Sequence, residues 1–141
     1  MSRRWSRLFA AVALGAAVVV PLAPAQVAYG GVFDGDVTNR LPSSYTVKVA
    51  TFTPPNLPET CVLNTGESVR CRTYWLPSGR ADDQINGTNW DTDALMVESN
   101  YRLYKINGSY INIPAFRWYK ILSGDNRTCE LTSNVPACFP R

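Results

Sequence analysis

Apolar and polar residues alternate with a two-residue period along most of this chain, and long helical spacing is absent. In residues 45–51 (Tyr-Thr-Val-Lys-Val-Ala-Thr), large or β-branched side chains alternate with polar or small ones, which predicts a half-buried strand. Pro54-Pro55-Asn56-Leu57-Pro58 stops it. Residues 68–75 place Val69, Cys71, Thr73 and Trp75 on one face and Arg70, Arg72 and Tyr74 on the other, after a turn at Asn64-Thr65-Gly66. Residues 77–93 are polar and rich in turn formers, and predict the largest loop. Residues 101–106 and 109–113 flank Asn107-Gly108, a pair suited to a two-residue type I′ turn because both positions need positive φ. Further strands are expected over 116–122 and 127–131, separated by Ser123-Gly124-Asp125-Asn126. The expectation is an all-β domain over residues 45–141, a small disulfide-stapled barrel or sandwich of about five to seven short antiparallel strands. Residues 26–44, with Gly30-Gly31, Gly35 and Pro42 and no sustained apolar period, predict a flexible N-terminal extended arm.

Charge changes the picture through its location. The chain has 141 residues and a formal charge of +3, but Arg3, Arg4 and Arg7 precede an apolar run over 8–20 that ends in Pro21-Leu22-Ala23-Pro24-Ala25. These are the three regions of a secretory signal peptide over 1–25, with Ala23-x-Ala25 as the cleavage site. Removing it leaves equal numbers of basic and acidic side chains, 11 of each. A neutral mature chain lacks the cationic surplus that nucleic-acid binding requires. The apolar run is also too short for a membrane span. The expectation is a secreted, extracellular protein. Four cysteines, Cys61, Cys71, Cys129 and Cys138, then read as two disulfides, with all three pairings open. No Cys-x-x-Cys pair and no histidine is present to hold a metal.

The absence of histidine also removes the commonest proton-transfer group near neutral pH, so the chain is expected not to be an enzyme and to need no cofactor. Asp82-Asp83 and Asp91-x-Asp93 supply oxygen ligands at close spacing around Gly87, as a calcium loop would. They lack the regular motif, and Asp and Asn cap turns with the same composition. Aromatic residues are the better binding candidates. Adjacent pairs such as Tyr74 and Trp75, or Trp118 and Tyr119, face opposite sides of a strand, so some are exposed. Trp75, Tyr104, Trp118 and Tyr119 are the expected binding residues.

Ser68-Val69-Arg70-Cys71-Arg72, Trp118-Tyr119-Lys120-Ile121, and the run from Gly124-Asp125-Asn126-Arg127 to Val135 resemble the strands of bacterial SH3-like domains of small exported proteins. The resemblance covers residues 68–138. It implies a non-catalytic module engaging cell-wall peptide or glycan, and a barrel whose first and last strands are neighbours. Such a barrel would pair Cys71 with Cys129 and Cys61 with Cys138. Two other readings fit the same size and charge. In one, the chain is an adaptor subunit of a secreted multi-protein assembly such as an antibacterial toxin particle, with the arm over 26–44 inserted in a protein partner. In the other, a disulfide-braced loop, Pro77-Ser78-Gly79-Arg80-Ala81, presents Arg80 to a trypsin-like protease.

Overall fold

The computed structural model describes residues 35–86 and 91–141; the expected signal peptide and residues 26–34 of the expected arm lie outside the described residues. Ten strands and one short helix follow in chain order: β1 (Val37–Asn39), β2 (Val47–Thr51), β3 (Glu59–Val62), β4 (Ser68–Trp75), α1 (Asp83–Asn86), β5 (Ala94–Val97), β6 (Tyr101–Tyr104), β7 (Tyr110–Ile113), β8 (Trp118–Lys120), β9 (Arg127–Thr132) and β10 (Val135–Pro140). The protein is all-β, as the alternation predicts. The strands exceed the expected number, and not all pairs are antiparallel.

The first sheet has the order β1-β9-β10-β6-β7, with β1 parallel to β9 and β10 parallel to β6. The second has the order β3-β4-β2-β5-β8. This second sheet curls until its two edges meet: Leu63, just beyond β3, bridges Trp118 of β8, and the Asn64 amide donates to the Trp118 carbonyl at 2.8 Å. Two cores result. Between the sheets lie Val37, Leu41, Val47, Val49, Leu95, Val97, Tyr101 and Leu103. Inside the curl lie Ala50, Cys61, Leu63, Cys71, Ala94, Met96 and Trp118. Strand alternation feeds both: in β5, Leu95 and Val97 face the other sheet while Ala94 and Met96 face into the curl.

Several expectations change. The segment 37–41 is not an arm, since Val37, Asn39 and Leu41 have no exposed surface. β1 is hydrogen-bonded on both sides, to β9 and to residues 79–82, where Asn39 donates to Arg80 O (2.8 Å), Gly79 to Asn39 O (2.7 Å) and Asp82 to Val37 O (3.0 Å). The buried Asn39 amide is satisfied, donating to Leu76 O and accepting from the Leu41 amide. The disulfides are local, Cys61–Cys71 and Cys129–Cys138. The crossed pairing fails because β4 belongs to the curled sheet and β9 and β10 to the other. Cys129 and Cys138 face each other directly across β9 and β10.

The turns exchange roles. At Asn107-Gly108 only Gly108 has positive φ; its amide donates to Lys105 O and the Lys105 amide to Ser109 O, giving a three-residue loop with a glycine bulge. The two-residue turn with both φ positive is Ser133-Asn134, which joins Thr132 to Val135 and opens β10, a strand that the sequence pattern missed. Phe116 also has positive φ, 63°, with its side chain 61% exposed. A phenylalanine pays a steric cost there that glycine does not. Phe116→Gly should therefore raise stability by about 1 kcal/mol, a Tm gain of roughly 5 °C in a thermal melt. A fall in Tm would contradict this.

Candidate functional site

Among the described residues, one cluster of aromatic side chains lies on the outer face of the first sheet. Leu103, Cys129 and Cys138 point into the core, so the alternate residues of β6, β9 and β10 point outward. Register then builds one row across five strands: Tyr110 beside Tyr104, Tyr104 beside Phe139, Phe139 beside Thr128, and Thr128 beside Thr38. The Tyr104 and Phe139 rings stack at 4.4 Å and 20°, and Tyr110 tilts against Tyr104 at 5.1 Å. The next row carries Asn112, Arg102, Ala137 and Glu130. The Arg102 guanidinium lies 5.0 Å over the Tyr110 ring, a cation–π contact. A shallow cleft of about 390 Å³ adjoins this end of the face, lined by Asn100, Arg102, Asn112, Pro114 and Val135 among others.

Of the four aromatics expected to bind, only Tyr104 belongs to this row. Trp118 is a core residue, 5% exposed inside the curled sheet, and has no surface to offer a ligand. Tyr119 is partly buried on the opposite face of β8, with the Arg127 guanidinium 5.7 Å from its ring. Arg127 is itself fixed by Asp125, with Nε 2.8 Å from Oδ1 and Nη2 donating to Oδ2 at 2.8 Å. Trp75 is exposed at the end of β4, in the other sheet. Tyr110 and Phe139 stand outside those four, and for Phe139 the signal in the sequence is the Val135-x-Ala137-x-Phe139 alternation, masked by Pro136 and Pro140.

Arg80 is exposed, but the turn that carries it is held by backbone bonds and not braced by a disulfide. Arg80 N donates to Pro77 O in a tight turn, its carbonyl accepts from Asn39, and neither disulfide brackets it. The acidic segment is likewise occupied with backbone. Asp82 has no exposed surface; it accepts from the Val37 and Asp83 amides, both at 3.1 Å, and from the Thr92 hydroxyl. Burial pushes its carboxyl up to about 6 from the usual 3.8, against the lowering effect of the Thr92 and Val37 bonds. Asp93 caps the end of β2, accepting from the Phe52 amide at 2.6 Å and the Thr51 hydroxyl at 3.3 Å. The Asp36, Asp82 and Asp83 carboxylates lie within 4.8 Å of one another, a separation compatible with a cation, although Asp82 already has three donors on its oxygens. Residues 87–90, the middle of the expected calcium loop, lie outside the described residues.

The two disulfides are consistent with an oxidising, extracellular environment. Among the described residues no helix is long and apolar enough to cross a membrane. Comparison with known proteins finds no family model, no curated protein and no solved structure that matches this chain.

Proposed function

We propose that this protein is a secreted, non-catalytic binding module whose contact surface is the outer face of the first sheet, and that its ligand is a cell-wall peptide. The row Tyr110, Tyr104 and Phe139 with Arg102 against it carries this reading. Tyrosine and arginine combine large contact area with polar ends, and they dominate binding energetics where they cluster. The ring arrangement favours peptide over glycan. Tyr104 is stacked on Phe139 and flanked by Tyr110, and Arg102 covers one Tyr110 face, so protein contacts leave less flat ring surface for a sugar. Ring edges, the guanidinium and the Asn100 and Asn112 amides beside the cleft suit a peptide backbone and its side chains.

The test is co-sedimentation with insoluble peptidoglycan, competed with soluble stem peptide or with glycan fragments free of peptide. Pelleting competed by stem peptide is expected, with at least tenfold weaker binding after Tyr110→Ala combined with Arg102→Ala. No pelleting, or competition by glycan alone, would overturn the proposal. The adaptor reading rests on the same face, since an aromatic cluster with arginine also suits a folded protein partner. Recovery of a stoichiometric partner from culture supernatant, lost in the same double variant, would favour it.

A further inference from the structure

The two edges of the first sheet differ. β1 is covered by residues 79–82, whereas β7 has β6 as its only strand partner among the described residues. The direction of its backbone groups follows from the hairpin. The Lys105 amide donates to Ser109 O, making 105 and 109 a hydrogen-bonded pair. Alternation along an antiparallel ladder then bonds Leu103 with Ile111 and Tyr101 with Ile113. The amides and carbonyls of Tyr110 and Asn112 therefore point away from the sheet, and none of the backbone bonds among the described residues uses them. Native edges are commonly blunted by proline, lysine or a bulge. β7, with the sequence Tyr-Ile-Asn-Ile, has none of these within it.

Tyr110 and Asn112 stand symmetrically about Ile111, so the edge is complementary to itself. A second copy running antiparallel sets Tyr110 against Asn112 of that copy, and Asn112 against its Tyr110, with four backbone hydrogen bonds about a twofold axis at Ile111. Residues 106 and 116 flank this edge, one in the hairpin loop before β7 and the other in the turn after it. These are two of the exposed large hydrophobics: Ile106 is 94% exposed at the hairpin tip, and Phe116 is 61% exposed. Phe116 also keeps its side chain on the surface at a backbone angle unfavourable for it, φ 63°. Ile106 and Phe116 thus stand beyond the two ends of the edge that Tyr110 and Asn112 form.

We propose that this chain self-associates as a symmetric dimer by pairing β7 with β7, joining the two first sheets into one and setting two aromatic rows side by side. The pairing is independent of what the rows bind. Sedimentation velocity of the disulfide-intact protein from about 1 µM to about 1 mM should show mass rising from one chain to two. Amide hydrogen exchange at Tyr110 and Asn112 should slow as concentration rises, while exchange at Leu103 and Ile111 stays constant. Asn112→Pro removes one outward donor from each copy at a position where an edge strand tolerates proline, and should weaken association about thirtyfold. A monomer over the whole range would overturn the proposal. So would a dimer whose Tyr110 and Asn112 amides exchange at the monomer rate. If Asn112→Pro does not fold, the exchange measurement on the unaltered protein decides alone.

Discussion

Trp118→Ala is expected to cost about 4 kcal/mol, near half the stability of an ordinary small domain. Its side chain fills the curl of the second sheet with Leu63, Met96 and the Cys61–Cys71 disulfide, and its backbone is where that curl closes. Truncation removes the largest apolar side chain of this second core and leaves a cavity between strands held at both ends, so collapse is restricted. Urea unfolding with both disulfides intact should show the loss as a lower midpoint at nearly constant slope. Tyr110→Ala is the matched comparison. That ring is half exposed on the sheet's outer face, and its removal should cost less than about 1 kcal/mol while ligand binding falls. A Trp118→Ala protein as stable as the Tyr110→Ala protein would place Trp118 outside the core.

The second large effect is a dependence of stability on pH that opposes ordinary acid denaturation. Burial raises the Asp82 carboxyl to about 6 in the folded protein, against about 3.8 when the chain is unfolded. Between those values the folded state holds a proton that the unfolded state has lost, so stability falls as pH rises through this window. Asp82 alone should weaken the fold by about 3 kcal/mol at pH 7.5 relative to pH 3.5, order of magnitude. Asp82→Asn isolates the contribution. Its carbonyl oxygen can still accept from the Val37 and Asp83 amides, and its amide can donate to the Thr92 hydroxyl. The variant should equal or exceed the parent in stability at pH 7.5, with the difference vanishing near pH 4. A difference between the two proteins that does not change with pH would refute this account.

Asp82 also connects the acidic segment to the fold. Its hydrogen bonds tie the start of β1 to the segment before α1 and to Thr92. The same oxygens that suggest a cation loop in one dimension therefore act as caps between chain segments 45 and 10 residues apart. This is a common outcome for short acidic side chains near turns.

Alternation sufficed for the strands that contribute one clean face to a core. Residues 45–51, 68–75, 101–106 and 109–113 correspond to β2, β4, β6 and β7, because each carries apolar side chains at every second position. The all-β class and two disulfides follow from the same local information. Where a polar residue occupies an interior position, the pattern breaks. β1 is read as an arm because Asn39 stands between Val37 and Leu41, and its burial is tolerated only because Leu76 O and the Leu41 amide satisfy it. β10 is hidden by Pro136 and Pro140, of which Pro136 sits opposite Leu131 on β9. The turns behaved similarly: Asn107-Gly108 has the composition of a type I′ turn, but Ser133-Asn134 has the two-residue spacing between paired strands that makes one.

What tertiary structure decided is which strands are neighbours. Period tells a side chain's face but not its sheet, and Trp118, Tyr119, Tyr104 and Trp75 look equivalent until the second sheet curls around the first of them. The disulfide pairing depends on the same placement, because Cys71 and Cys129 belong to different sheets. The aromatic row arises from parallel pairing of β6 with β10, strands whose contact residues are more than 30 positions apart. No local pattern encodes that contact, since parallel pairing is fixed by how the chain crosses over and by which apolar faces must be buried together. Alternation and cysteine usage point to an all-β, disulfide-bonded chain with more aromatics than one core conceals. The pairing of β6 with β10 decided that Tyr110, Tyr104 and Phe139 form a surface.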